Sequence, residues 1–199
     1  MRYEELTIEG RNAVLEAFRA GRPIDKLFVQ DGCKDGPVQT IVGEARKHDT
    51  VIQFVARERL DQMSDTGKHQ GVIAYAAAYE YAEVEDILKL AEEKGEPPFI
   101  FLLDGIEDPH NLGAIIRTAN LAGAHGVIIP KHRASGLTAT VARTSAGALN
   151  YTPVARVTNL ANTIEDLKKR GLWFVCADMG GELMYKLNLK GPIGLVIGN

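Results

Sequence analysis

Beyond Pro98 the sequence settles into a repeating pattern of short, uninterrupted apolar runs, each followed by a stretch with helical spacing. Residues 99–103, 126–129 and 193–197 show no polar alternation, and neither face of such a strand can be left in water. Helical patterns at 112–122, 139–149 and 160–170 alternate with these runs and with strand patterns at 153–157 and 173–177. Helices carried on the connections between strands supply cover on both faces, so the pattern predicts an α/β fold with a parallel sheet. Residues 1–78 alternate too: helices at 12–20, 38–47 and 57–63, with strands at 24–29, 51–55 and 71–77. They read as a separate compact α/β unit. Between the two lies an acidic stretch, 79–97, with a helix expected over 84–93 and closed by Gly95 and Pro97-Pro98. It reads as the connection between a domain at 1–78 and a domain at 98–199.

Composition narrows the class. At 199 residues, 45% hydrophobic and 25% charged, the chain can bury a core without disulfide staples. No apolar run approaches the roughly 20 residues of a membrane span, and Met-Arg-Tyr-Glu-Glu-Leu has no signal core. Cys33 and Cys176 are far apart and lack metal spacing, so they read as idle thiols in a reducing compartment. The expectation is a cytoplasmic protein with no membrane partner and no metal.

The overall charge of −3 argues against nucleic acid only until it is divided. Residues 79–97 alone carry −5, which leaves the remainder at +2. Between Asp108 and Glu165 there is no acid in 56 residues, where about seven would match the chain average. Arg117, Lys131, Arg133, Arg143 and Arg156 fall inside this stretch, with His110, His125 and His132. Such a stretch suits a phosphate-bearing ligand, or is the composition of a buried region.

No Walker sequence, G-x-G-x-x-G, zinc-spaced Cys/His set or G-x-S-x-G elbow is present. The informative segment is the turn after the first strand of the second domain, D-G-I-E-D-P-H-N-L-G-A-I-I-R-T-A over residues 104–119. Ligands of open α/β sheets bind outside the carboxyl ends of the strands, and this turn lies at such an end. Asp108 before Pro109 reads as an N-cap followed by a first-turn proline, which places Asn111 beside unpaired backbone N–H groups that favour anions. Leu112, Ile115, Ile116, Ala119 and Ala122 share the buried face, so Arg117 projects from the flank. Spacing alone leaves it either a solvated arginine or a phosphate clamp.

This segment resembles the first signature motif of the SpoU/TrmH family of RNA ribose 2′-O-methyltransferases. Further matches are residues 127–130 followed by Lys131-His132-Arg133, Ser145-Ala-Gly-Ala, the run from Pro153 to Leu160, and Leu195-Val-Ile-Gly-Asn. The first domain, with Gly10-Arg-Asn-Ala-Val and His69-Gln-Gly-Val, is similar to the substrate-binding domain of the ribosomal-RNA branch, the RlmB type. The resemblance implies an L30e-like RNA-binding domain joined to a SPOUT-type catalytic domain, which is a trefoil knot in full-length members. It also implies S-adenosylmethionine as methyl donor and a homodimer. By the same resemblance Asn111 and Arg117 are catalytic, and Ala177, Asp178, Ile197, Gly198 and Asn199 hold the donor. Arg11, Asn12, His69, Gln70, Lys131, His132 and Arg133 would touch RNA. For Asn12 a helix start is an equal reading, and for His69 and Gln70 a polar turn before a strand. A guanidinium with pKa above 12 stays protonated, so Arg117 is expected to anchor phosphate and stabilise charge rather than serve as general base. Few aromatics and no interleaving of them argue against a base-stacking platform.

The implied function is methyl transfer to the ribose 2′-hydroxyl of a guanosine in large-subunit ribosomal RNA. Methylation of transfer RNA, or RNA binding without catalysis, are the alternatives. Members of the family continue past the counterpart of Asn199 with a Glu-Gly-x-Gly turn, a Ser- and Asn-containing motif and a terminal helix. The expectation is therefore a truncated second domain, and little methyltransferase activity from residues 1–199 alone.

Overall fold

A computed structural model describes residues 7–198. In chain order the elements are β1 (Thr7–Glu9), α1 (Arg11–Arg19), β2 (Ile24–Gln30), α2 (Gly36–Lys47), β3 (Val51–Val55), α3 (Arg57–Met63) and β4 (Val72–Ala76). They continue with α4 (Val84–Lys94), β5 (Phe99–Asp104), α5 (Pro109–Leu121), β6 (Gly126–Pro130), α6 (Ala139–Thr144), β7 (Val154–Val157), α7 (Leu160–Lys169), β8 (Trp173–Cys176) and β9 (Ile193–Gly198). Single 3-10 turns occur at Ala148–Asn150 and Met184–Lys186.

Two compact units result. Among the described residues, the first holds 7–80 together with Gly136–Ala139; the second holds Tyr81–Ser135 and 140–198. In the first, the sheet runs β1-β4-β2-β3, with β2 and β3 parallel and β4 antiparallel to both its neighbours. One face buries Leu27 and Val29 against Val14 and Phe18 of α1 and Ile41 and Ala45 of α2; the other buries Phe28 and Ile73 against Leu60 of α3. Asp35 caps α2 by accepting the Val38 N–H at 3.1 Å, ahead of Pro37 in the first turn.

In the second unit all five strands are parallel, in the order β7-β6-β5-β9-β8. The parallel α/β sheet expected from the apolar runs is the one observed. Ile100, Leu102 and Ile128 on one face pack with Ile87 of α4 and Leu167 of α7. The helix read as a connection is therefore part of this unit's core. Its Ile87 and Ala91 are fully buried, a reciprocal capping box joins Glu83 and Asp86, and Gly95 ends it in the left-handed conformation. A β-carbon at Gly126 would collide with Ile87, so strand and helix meet at a residue that has none. Four acids, Glu85, Asp86, Glu92 and Glu93, mark the helix's solvent side, and two apolar residues on its other side decide where it belongs.

The helix expected over 139–149 is also corrected. It stops at Thr144, and Ala146 and Gly147 take positive φ of 49° and 88° before the 3-10 turn. Alanine-rich composition favours helix locally, but Thr144 and Ser145 are committed to a contact with α5, described below. Ala122, expected on the buried face of α5, is exposed as the helix's C-cap. No helix among the described residues is long and apolar enough to cross a membrane.

Candidate active site

The carboxyl ends of β5, β9 and β8 are neighbours. Asp104 pairs with Gly198, Cys176 pairs with Val196, and the Ala177 N–H donates to the Val196 carbonyl at 2.9 Å. Parallel pairing thus brings three segments, at 104–111, 177–178 and 197–198, to one edge of the sheet, although Asp104 and Gly198 are 94 positions apart in the sequence. Asn199 lies outside the described residues.

The turn after β5 leads into α5. Asp108 caps the helix, its carboxylate accepting the His110 N–H at 2.9 Å, with Pro109 following as the sequence suggested. The N-terminus so carries its own anion, and the first-turn N–H groups are not simply open to an incoming phosphate. Asn111 and Arg117 are both exposed, and Arg117 has no ion-pair partner among the described residues. Six residues apart, they are displaced about 9 Å along the axis and about 120° around it. Helical side chains lean toward the N-terminus, which turns the long Arg117 side chain toward the level of Asn111.

What holds α5 in place was not legible in the sequence. Gly113 is buried, and a β-carbon there would overlap the Thr144 side chain and approach the Ser145 nitrogen to 3.0 Å. The Thr144 hydroxyl donates to the Thr140 carbonyl at 2.9 Å, and the fully buried Ser145 hydroxyl to the Ala142 carbonyl at 3.0 Å. The only forewarning was a glycine in the middle of an otherwise good helix.

Lys131, His132 and Arg133 follow β6 at the same edge of the sheet, with His132 and Arg133 exposed and Arg133 at a φ of 56°. The Ser135 N–H donates to the Ile106 carbonyl at 2.9 Å and ties this loop to the β5–α5 turn. The acid-free stretch is not one surface, however. Arg156 lies 4.3 Å over the Tyr81 ring, and His125 is buried, accepting the Phe99 N–H at 3.0 Å and facing Glu96 at 3.1 Å.

A cavity of about 860 Å3 runs along β8 and β9, from Ala177 and Asp178 at the carboxyl end of β8 to Pro97 and Phe99 at the amino end of β5, with Leu183 and Leu195 in its walls. Its apolar walls suit a flat heterocycle and its three carboxylates, Glu96, Asp178 and Glu182, suit a cationic ligand; the volume is in the range of small-molecule sites. Ile197 and Gly198 do not line it. Gly198 has an ordinary φ, and a β-carbon would stand 3.7 Å from the Asp104 carbonyl, so the local fold does not require glycine there.

A second cavity, of about 740 Å3, belongs to the first unit and is lined by Arg11, Arg57, Lys68, His69 and Gln70, with Cys33, Gln30 and two glycines. Arg11, His69 and Gln70 are thereby brought together. Asn12 is not among the lining residues, and since Gly10 is the N-cap of α1, Asn12 does not start the helix either. His69 is buried with both ring nitrogens engaged: Nδ1 accepts the Gly71 N–H at 3.0 Å and Nε2 faces Asp61 at 2.9 Å. It supports the turn. Gln70 reaches back to α1, accepting the Arg11 N–H at 3.1 Å, and Gly10 fits because a β-carbon would press on the Lys68 carbonyl at 3.3 Å. Glu9 secures the preceding loop: its carboxylate accepts the Asp65 N–H and the Thr66 hydroxyl at 2.6 Å, and the Ser64 hydroxyl at 2.5 Å. Burial alone would raise its pKa; these hydrogen bonds outweigh that and hold the carboxyl below its usual value. Among the described residues no group of three or more His, Cys, Asp or Glu could hold a metal.

Residues 98–199 match the model of the SpoU rRNA Methylase family, and residues 7–82 match that of RNA 2′-O ribose methyltransferase substrate binding. YacO of Bacillus subtilis (strain 168), named for the TrmH family of tRNA/rRNA methyltransferases, is 51% identical over 192 residues, covering 96% of this chain and 76% of its own. A similarly named protein of Staphylococcus saprophyticus is 44% identical over 197 residues, covering 98% and 79%. The solved structure of the SpoU methyltransferase AviRb from Streptomyces viridochromogenes with AdoMet shares the fold at a TM-score of 0.53 and 22% identity, covering 98% of this chain and 73% of that one. An rRNA methyltransferase from Sinorhizobium meliloti aligns at a TM-score of 0.50 and 25% identity, covering 99% and 72%.

Proposed function

Since the chain belongs to the SpoU family of RNA methyltransferases, whose methyl donor is S-adenosylmethionine, we propose that it methylates the 2′-hydroxyl of a guanosine in large-subunit ribosomal RNA. The observation that carries this reading is the convergence of the Asn111 turn, the loop at 131–133 and the Ala177–Asp178 segment at one edge of the parallel sheet.

The bound donor supplies a methyl group already activated by its sulfonium. Ala177 and Asp178 would hold it, with the apolar wall formed by Val175, Leu183 and Leu195 facing its heterocycle. What is left for the protein is to place a ribose hydroxyl in line and exclude water. Asn111, able to donate and accept, would orient the ribose. Arg117 would take the adjacent phosphate in a two-pronged grip and oppose the charge that builds as the hydroxyl loses its proton. Lys131 and Arg133 would steer the RNA backbone toward that edge.

The substrate-binding match over residues 7–82 supports ribosomal over transfer RNA, because a separate RNA-binding unit suits a large folded target. A cytoplasmic homodimer completes the reading. The test is transfer of isotopically labelled methyl from the donor into purified ribosomal and transfer RNA, followed by digestion and mass spectrometry of the nucleosides. What label is transferred is expected in 2′-O-methylguanosine from large-subunit RNA. Label on a base, or in transfer RNA alone, would overturn the assignment. Donor-independent RNA binding without transfer would favour a binding protein.

A further inference from the structure

The cavity of the first unit is built for a narrower ligand than a folded RNA surface. Three cationic side chains, Arg11, Arg57 and Lys68, line it, with the amides of Gln30 and Gln70 and no carboxylate. The nearest carboxylates serve to fix the cations and the turn. Asp35 holds the Arg11 guanidinium at 2.7 Å, and Asp61 stands 2.9 Å from His69 and 3.9 Å from Arg57. Arg11 is fixed further by donating from Nε to the Gln70 carbonyl at 3.0 Å and by the Cys33 sulfur at 3.6 Å. Gln70 occupies the left-handed region at a φ of 51°, a conformation a non-glycine residue keeps only where its surroundings enforce it.

A cavity of about 740 Å3 admits one nucleotide and excludes a duplex. The lining has cations for a phosphate and amides that donate and accept for a base edge; it has no Phe, Tyr or Trp, and the one imidazole, His69, is buried with both nitrogens engaged. We infer that this pocket seats a single unstacked nucleotide of the RNA substrate, its phosphate toward Arg57 and Lys68 and its base edge toward Gln30 and Gln70. The inference rests on the RNA-methyltransferase reading and deepens it: the first unit would select targets that offer an unpaired nucleotide. Arg11, already tied to Asp35, is a positioning residue of the pocket wall.

Cys33 lines the same pocket and reports on it directly. With a fluorescein-labelled single-stranded RNA 12-mer bound at saturation, judged by anisotropy, alkylation of Cys33 by iodoacetamide, followed by mass spectrometry, should slow at least fivefold. Added N-acetylcysteine serves as the internal reference for reagent, because Cys176 lines the cavity of the other unit. Arg57→Ala/Lys68→Ala should weaken RNA binding at least tenfold and flatten the log–log salt dependence by about 1.4, two contacts at about 0.7 each for a single strand. Both positions are exposed, and an unchanged urea midpoint confirms that the variant folds. Unprotected Cys33 under saturating RNA overturns the inference and leaves the methyltransferase reading standing. So does wild-type affinity in the folded double variant. Guanosine monophosphate protecting Cys33 as well as the RNA does would assign the pocket to a free nucleotide and overturn the RNA assignment. A wild-type chain that binds no RNA at all sinks both readings together.

Discussion

Gly113 of α5 lies against Thr144 so closely that a single added methyl group has no room. The helix bearing Asn111 and Arg117 is thus seated on the end of α6, and its position depends on one absent side chain. Alanine would ordinarily help a helix by up to about 1 kcal/mol over glycine. Here the overlap reverses the sign: Gly113→Ala should destabilise by about 1–3 kcal/mol. In the Thr144→Ala background the penalty should shrink, giving a coupling of about 1 kcal/mol or more in a double-mutant cycle read by urea denaturation. Additive effects would show that the two residues do not share a contact.

Asn111 and Arg117 are exposed, so their removal should leave stability within about 0.5 kcal/mol. Methyl transfer is another matter. Asn111→Ala should lower kcat/KM by about 100-fold or more, as loss of a substrate-orienting group does. Arg117→Lys keeps the charge and loses the fork, and should recover only part of what Arg117→Ala loses. Steady-state kinetics beside RNA affinity distinguishes these outcomes from a general loss of binding.

The Glu9 carboxyl gives the first unit an acid-sensitive fastening. Its pKa is lowered from 4.5, since hydrogen bonds from Ser64, Thr66 and the Asp65 N–H overcome the opposing effect of burial. A lowered carboxyl contributes stability above its unfolded value and loses that contribution as pH falls through the folded one. The urea midpoint should therefore drop as pH goes below about 4.5. Glu9→Gln should be less stable at pH 7 and show a shallower acid limb. An identical acid limb in the variant would assign the pH dependence elsewhere.

For α4 the decisive residue is Ile87. It is fully buried with Ile100, Leu102 and Ile128, so Ile87→Ala should cost about 2–4 kcal/mol. Glu85 on the opposite side forms a two-pronged pair with Arg170 at 2.6 and 2.7 Å, but both side chains are solvent-exposed, and Glu85→Gln should barely move the same denaturation curve. A linker-like α4 would make the two variants equal.

The unbroken apolar runs made β5, β6 and β9 legible, because a strand buried on both faces has no other composition available to it. β1 was not read from the sequence: three residues carry no period, and they form a strand only because β4 offers an antiparallel edge. The site was half visible. The Asp108-Pro109 cap and the residues behind it announce a helix start beside a strand end. That Gly198 would lie opposite Asp104, and Ala177 beside Val196, depends on a strand order that local spacing does not encode. His69 shows the limit of residue type: RNA contact and a polar turn are equal readings of the sequence, and its two hydrogen-bond partners reveal a buried support for the turn.

The strand order has a kinetic side. β9, the last strand among the described residues, inserts between β5 and β8 and pairs Phe99 with Ile193. Until it arrives, β5 and β8 each present an unpaired, apolar edge, and the loop that must close spans roughly half the polypeptide. Such distant pairing slows folding. While the chain is being synthesised the first unit's four strands are already present, whereas the second unit waits for β9 with sticky edges open to other nascent chains. Chaperone dependence should therefore be concentrated in the second unit.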